Sequence, residues 1–274
     1  MSGSYKDIGV SSEGPVGIVE IQRPPHNFFD NSLINQIADA FEAFDRDNNI
    51  RSYVLCAQGK SFCAGADFAN RPQTGSAESG KHLYKEATRL FRSKKPSIGA
   101  IQGPAIGGGL GLALMPDFRV ACSEARFAAN FTRLGFHPGF SLTFTLPRLI
   151  GQQRANLMFY TGRRISGEQA YEWGLADVLV PLADVRKEAI KLAAEIAESV
   201  TAEVGTPAPF SQVAHGSLER DRRLAARRQT RRGLVAATAA DLHRVVAQPP
   251  RHVGVPQLAQ RGLEPDVALA LVGQ

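Results

Sequence analysis

At 274 residues, 43% of them hydrophobic and 21% charged, the chain fits one large domain, or a domain with an appendage, of ordinary globular composition. No apolar stretch approaches a membrane span, and no basic segment followed by an apolar run opens the chain. Neither a membrane anchor nor a signal peptide is therefore expected, and a reducing cytoplasm is the simplest compartment. The net charge of +6 is uneven, with seven arginines from Glu219 to Arg232; without aromatic interleaving or a nucleic-acid motif, they read as a solvated helix face and not as a nucleic-acid site.

In chain order, Val16–Ile21 reads as a strand closed by Arg23-Pro24-Pro25. Asn31 is placed to cap a helix whose apolar face is Leu33, Ile34, Ile37, Phe41 and Phe44. The apolar run Ser52–Ala57 predicts a buried strand, and the polar stretch 70–80 a mobile loop. An amphipathic helix is predicted to run to about Lys94, with Leu83, Leu90 and Phe91 inward and Pro96 as its stop. Ser97–Ile101 is a second buried strand, and 110–115 is too uniformly apolar to be exposed. Short strands are predicted at 118–121, 126–129 and 178–180. Helices are predicted at 141–150, 153–161, 166–173 and 182–200, the third with a Ser166/Gln169 capping box. This alternation is an α/β pattern. From Thr201 the character changes: Pro207 and Pro209 interrupt the chain, an arginine-rich helix follows, and the tail to Gln274 has no clear period. The expected organisation is a core over 1–200 and a C-terminal helical, oligomerising region with an irregular tail over 201–274.

Two glycine-rich segments carry the chemistry. Ser61-Phe62-Cys63-Ala64-Gly65-Ala66-Asp67 follows the first buried strand. Gly103-Pro104-Ala105-Ile106-Gly107-Gly108-Gly109-Leu110-Gly111 follows the second. Glycines just past a strand let the backbone turn sharply and approach a ligand. Two such turns side by side could aim two N–H groups at one oxygen, the construction of an oxyanion hole; turns chosen only for packing are the alternative. A dinucleotide-binding fingerprint fails on spacing, since the third glycine would fall on Leu112 or Leu114. No G-x-S-x-G elbow, P-loop or clustered metal-ligand set occurs, and Cys56, Cys63 and Cys122 lack the spacing of a zinc site.

Ser61-Phe62-Cys63-Ala64-Gly65-Ala66-Asp67-Phe68 resembles the first signature of the crotonase superfamily, the enoyl-CoA hydratase/isomerase proteins. Lys95-Pro96-Ser97-Ile98-Gly99-Ala100-Ile101-Gln102-Gly103, with Ala105-Ile106-Gly107-Gly108-Gly109 behind it, is similar to the second. Leu134-Gly135, 146–151, 160–166 and 174–180 continue the likeness in the family's order. The resemblance implies a spiral of repeated ββα units, a homotrimer or dimer of trimers formed through the C-terminal helical region, and an acyl-CoA thioester as ligand. Coenzyme A enters as part of the substrate, with no resident cofactor or metal and no nucleic-acid or membrane partner. It also implies backbone oxyanion donors at Ala66 and Gly108, with Ala64, Gly65, Asp67, Gly107 and Phe131 lining the substrate site.

The likeness breaks where acids are needed. By motif position, the two hydratase glutamates fall on Gly111 and Phe131, and the base of some isomerases falls on Gly139. Ordinary water addition is not expected. His137, in the loop that supplies the second acid, is the candidate replacement base, set against a surface loop histidine. Asp67 is expected to cap a following helix, and Cys63 to be packing. No cation follows Arg23-Pro24, so Arg23, His26, Lys60 or a C-terminal arginine of a neighbouring subunit are the candidates for the CoA phosphates. Two readings stand: an enzyme working through an enolate, as an isomerase, hydrolase or lyase, or a catalytically silent acyl-CoA-binding or subunit-partner protein.

Overall fold

Nine strands and seven α-helices follow one another in residues 5–67 and 83–204, the parts of the chain described by the computed structural model. The expected loop at 70–80, the arginine-rich segment and the tail lie outside those residues. The first strand, β1 (Ile8–Glu13), pairs antiparallel with β2 (Val16–Ile21). From β2 onward the large sheet is parallel. It adds β3 (Ser52–Ala57), β4 (Ser97–Ile101), β6 (Phe118–Ala121) and β9 (Val178–Leu179), in the order β1-β2-β3-β4-β6-β9. A smaller sheet holds β5 (Ala105–Ile106), β7 (Arg126–Ala128) and β8 (Arg164–Ser166), in that order.

Register shows how the two layers are wound. Cys63 forms a parallel bridge to Ala105 of β5, and β5 pairs in parallel with β7. Phe29 forms another parallel bridge, to Ala66. Each pass of the chain therefore gives one strand to the large sheet, then a short extended piece to the small layer. After β2 come Phe29 and α1 (Asn31–Arg46). After β3 comes Cys63, and after β4 come β5 and α3 (Gly108–Ala113). After β6 come β7 and a 3-10 turn, Asn130–Leu134. The described residues form the spiral of ββα units that the resemblance implies, which sets consecutive strand ends side by side. Of the other helices, α7 (Val185–Val204) lies against β3, β4 and β6, with Ser52 Oγ donating to the Ala193 carbonyl at 2.8 Å.

Most predicted elements are present, with differences that have local causes. The cap of α1 is Asp30, which accepts from the Leu33 N–H at 2.8 Å; Asn31 is already the first helical residue. The helix expected to reach Lys94 is instead α2 (Leu83–Ala87) followed by a 3-10 turn, Leu90–Arg92. Arg89 sits at the break. Its N–H bonds the Glu86 carbonyl three residues back, while its guanidinium reaches Asp39 and Glu42 on α1. Ser141 precedes α4 (Leu142–Ile150) but makes no side-chain cap bond. Ser166 does cap α6 (Gly167–Trp173), accepting from the Gln169 N–H at 3.2 Å; α5 is Gln152–Thr161.

Candidate functional site

The two glycine turns are bonded to each other through their backbones. Cys63 N–H donates to the Pro104 carbonyl at 3.1 Å, and Ile106 N–H returns to the Cys63 carbonyl at 3.0 Å. On the other flank of the first turn, Phe29 N–H donates to the Gly65 carbonyl and Asp67 N–H to the Phe29 carbonyl, at 2.9 and 3.0 Å. Groups of neighbouring residues alternate sides along an extended chain. The N–H of Ala66, between those two bonds, thus points away from Phe29. In the second turn the backbone reverses at Gly107, with φ +56°, and its N–H is used by the Ala128 carbonyl at 2.8 Å. Gly108 is the first residue of α3, where N–H groups have no partner inside the helix. Among the described residues, neither Ala66 N–H nor Gly108 N–H donates a hydrogen bond.

Close approach explains why glycine stands at 108, 109 and 111 of this helix. A Cβ on Gly109 would stand 2.0 Å from the Cys63 carbonyl oxygen, and one on Gly108 would stand 2.5 Å from the Phe29 ring. A Cβ on Gly111 would lie 2.5 Å from the Phe140 Cβ and 2.8 Å from its ring atoms. The Phe131 ring sits about 4.0 Å from where a Gly107 Cβ would be, beside the Asn130 side chain. Phe29, Phe131 and Phe140 are all buried. The turns are thus flanked by aromatic rings, and the bland packing role accounts for Gly109 and Gly111 while leaving two N–H donors unspent.

An enoyl-CoA hydratase/isomerase family model matches residues 11–243 of this chain. The chain belongs to the enoyl-CoA hydratase/isomerase family. It is 31% identical over 208 residues to a 4-chlorobenzoyl coenzyme A dehalogenase of Arthrobacter, covering 73% of this chain and 75% of that one. It is 33% identical over 198 residues to a crotonyl-CoA hydratase of Syntrophomonas wolfei, covering 70% and 76%. An enoyl-CoA hydratase subunit of Geobacillus kaustophilus superposes with a TM-score of 0.68 at 30% identity, over 92% of this chain and all of that one. The fold is thus the crotonase fold. The relatives' names span dehalogenation and hydration, so membership alone does not select a reaction.

Within this family member, the positions expected to carry acids are occupied by other matter. Gly111 is covered by the Phe140 ring, and Phe131 presents its own ring toward Gly107. Gly139 is a loop residue whose carbonyl accepts from the Leu142 N–H at 3.2 Å. His137 is exposed and makes no hydrogen bond among the described residues. Its loop lies between the segments that carry Phe131 and Phe140. Asp67 adjoins 68–82, the segment it was expected to cap, which lies outside the described residues. Cys63 is fully buried, and burial pushes its thiol up to about 12, the opposite of an activated nucleophile. Of the candidate cations, Arg23 is committed to Asp7 at 2.7 Å and Asp30 at 3.0 Å. Lys60 is exposed and unbonded among the described residues. His26 is exposed with its ring against Phe28, and its carbonyl holds the Ala64 N–H at 2.9 Å.

Three residues that build the site escape a reading of the sequence. Asn27 is fully buried with φ +51°, its amide donating to the Gln58 and Ser61 carbonyls at 2.7 and 2.8 Å while its oxygen accepts from the Arg23 N–H. It ties the segment after β2 to the entrance of the first turn. Asn is the residue type that tolerates a left-handed backbone and can bond both ways, so its place after Arg-Pro is a signal in retrospect. Phe29 and Phe140 carry no such signal, because their contacts are with chain far away.

Proposed function

We propose that this chain binds an acyl-CoA thioester with the carbonyl oxygen between the N–H groups of Ala66 and Gly108, and stabilises an enolate-type oxyanion there. The observation that carries this reading is the pair of unspent backbone N–H groups on two turns that are hydrogen-bonded to one another. Preorganised main-chain donors stabilise charge as it develops, and losing one typically costs about 2.7–4 kcal/mol of transition-state stabilisation. Ala64, Gly65, Asp67, Gly107 and Phe131 would border the thioester. Coenzyme A would come and go with the substrate, its phosphates meeting Lys60 and His26 more readily than the committed Arg23. In this reading the C-terminal region joins copies of the chain into a trimer or a dimer of trimers.

The proton-transfer half is different from a hydratase's. Neither glycine nor phenylalanine moves a proton, so the chemistry left is that of an isomerase, hydrolase or carbon–carbon lyase, with His137 as the candidate base. A second reading has its own observation: rings stand at both hydratase acid positions, which suits a silent acyl-CoA-binding protein. One experiment separates them. The protein is incubated with crotonyl-, 3-enoyl- and branched acyl-CoA in deuterated water and exchange is followed by mass spectrometry. Deuterium at the carbon α to the carbonyl is the result expected of the enolate reading. Measurable binding without exchange overturns it in favour of the silent one. Exchange that survives His137→Ala removes His137 as the base.

A further inference from the structure

The loop before α4 carries a feature that neither the oxyanion turns nor the missing acids explain. Phe140 and Ser141 are adjacent non-glycine residues with φ of +55° and +58°. A bulky residue in this region is a genuine backbone outlier, held only where surrounding packing over-determines it. Glycine would suit the backbone at 140 better than any side chain. The ring that is there is 3% exposed, and it is seated against the Cα of Gly111 so closely that no side chain could start from residue 111.

Position gives the ring its meaning. Gly108 and Gly111 are three residues apart on α3 and so share one face of it. Phe29 covers that face at Gly108 and Phe140 covers it at Gly111. The two rings meet edge to face at 5.5 Å, and the Phe91 ring lies tilted against Phe140 at 6.1 Å. The wall running from the oxyanion turn along α3 is therefore filled by aromatic carbon. We propose that Phe140 is a specificity-determining plug: it occupies the space an acyl chain would enter on passing Gly111, and limits the site to short acyl groups. The inference rests on the acyl-CoA reading above and adds a size limit that the reading does not contain. Replacing the ring by a smaller group opens an apolar space bounded by Phe29 and Phe91, which suits methylene carbons and stays dry.

The test is calorimetric titration of wild type, Phe140→Gly and Phe140→Leu with acetyl-CoA, butyryl-CoA and octanoyl-CoA. Within each protein the quantity read is the affinity for octanoyl-CoA divided by that for acetyl-CoA, which cancels any loss of active protein. The ratio should rise about tenfold in Phe140→Gly, the effect of burying roughly two further methylenes, and by a smaller factor in Phe140→Leu. Phe140→Gly also relieves the backbone, and Phe140→Leu keeps an apolar filler, so the leucine variant carries the test if the glycine variant does not fold. An unchanged ratio in the variants, or a wild type that already gains affinity from butyryl- to octanoyl-CoA, overturns the plug while leaving the acyl-CoA reading intact. Absence of binding by all three thioesters to wild type overturns the acyl-CoA reading and the plug with it.

Discussion

Among the glycines of α3, Gly109 is the one whose neighbour cannot yield. A methyl group there would meet the carbonyl oxygen and carbon of Cys63 at 2.0 and 2.7 Å, both backbone atoms in the bonded seam between the turns. Relief requires the turns to separate, and with them the N–H groups of Ala66 and Gly108. Gly109→Ala should therefore lower stability by about 1–3 kcal/mol, the usual cost of overpacking. It should also lower α-deuterium exchange by about a hundredfold, as expected of a displacement near 1 Å at a reacting centre. Gly135 is the control. It has φ +75° but open space around its Cα, so Gly135→Ala carries a backbone cost of about 1–2 kcal/mol and leaves exchange per folded molecule unaltered. Thermal melting and the exchange assay on both variants check the contrast; equal exchange losses would detach the seam from the chemistry.

At the scale of elements, the corner joining β1, β2 and α1 positions the segment that flanks the first turn. Asp7 is buried, accepts from Arg23 at 2.7 Å and from the Gln36 amide at 2.7 Å, and Arg23 also reaches the helix cap Asp30. The hydrogen bond from Arg23 holds the Asp7 carboxyl below its usual range, outweighing burial, which pushes the other way. A carboxyl whose folded pKa is depressed stabilises above the unfolded pKa, and that contribution disappears as pH falls through the folded one. Below about pH 4 the wild type should therefore lose melting temperature more steeply than Asp7→Asn, which has no such proton to take up. Parallel slopes from pH 6 to 2 would remove Asp7 from the acid response. None of this corner was legible in the sequence, whereas α1 and β2, β3 and β4 were. Those elements are long enough for period and apolar runs to speak, as in the Leu33, Ile34, Ile37, Phe41 and Phe44 face. The strands β5 and β8 are two and three residues long and exist only through pairing with distant chain. The site divides the same way: the glycine turns could be read locally, the lack of acids at 111 and 131 only through the family resemblance, while the rings of Phe29 and Phe140 come beside the turns by folding.

For the molecule as a whole, the last strand of the spiral is fastened by one buried cation. Arg119 on β6 is 2% exposed. Its Nε donates to the Leu175 carbonyl at 2.6 Å, Nη1 to Pro116 at 2.8 Å, and Nη2 to the Asp117 carbonyl and the Asp177 carboxylate at 3.1 and 3.0 Å. Its own N–H also meets Asp177, at 2.7 Å, so side chain and backbone together join β6 to the approach of β9. Burial alone pushes the Arg119 pKa down, yet a guanidinium stays charged, so the bonds hold across the working pH range. Removing the guanidinium leaves the buried Leu175 and Pro116 carbonyls unsatisfied, at about 1–3 kcal/mol each and roughly 3–5 kcal/mol together, while Asp177, a third exposed, regains water. For a domain of this size Arg119→Ala should then lower the melting midpoint by roughly 6–20 °C. Arg119→Lys should recover little of it, because a compact ammonium cannot reproduce the planar fork that reaches three carbonyls and a carboxylate at once. The fastening is separate from the glycine turns, so Arg119→Ala that is still folded at low temperature should bind acetyl-CoA as the wild type does. Thermal melting with calorimetric titration at 10–15 °C, a range chosen near where domain stability is greatest, reads both quantities. Lost affinity in a demonstrably folded variant would mean that the glycine turns depend on how the far end of the sheet is closed.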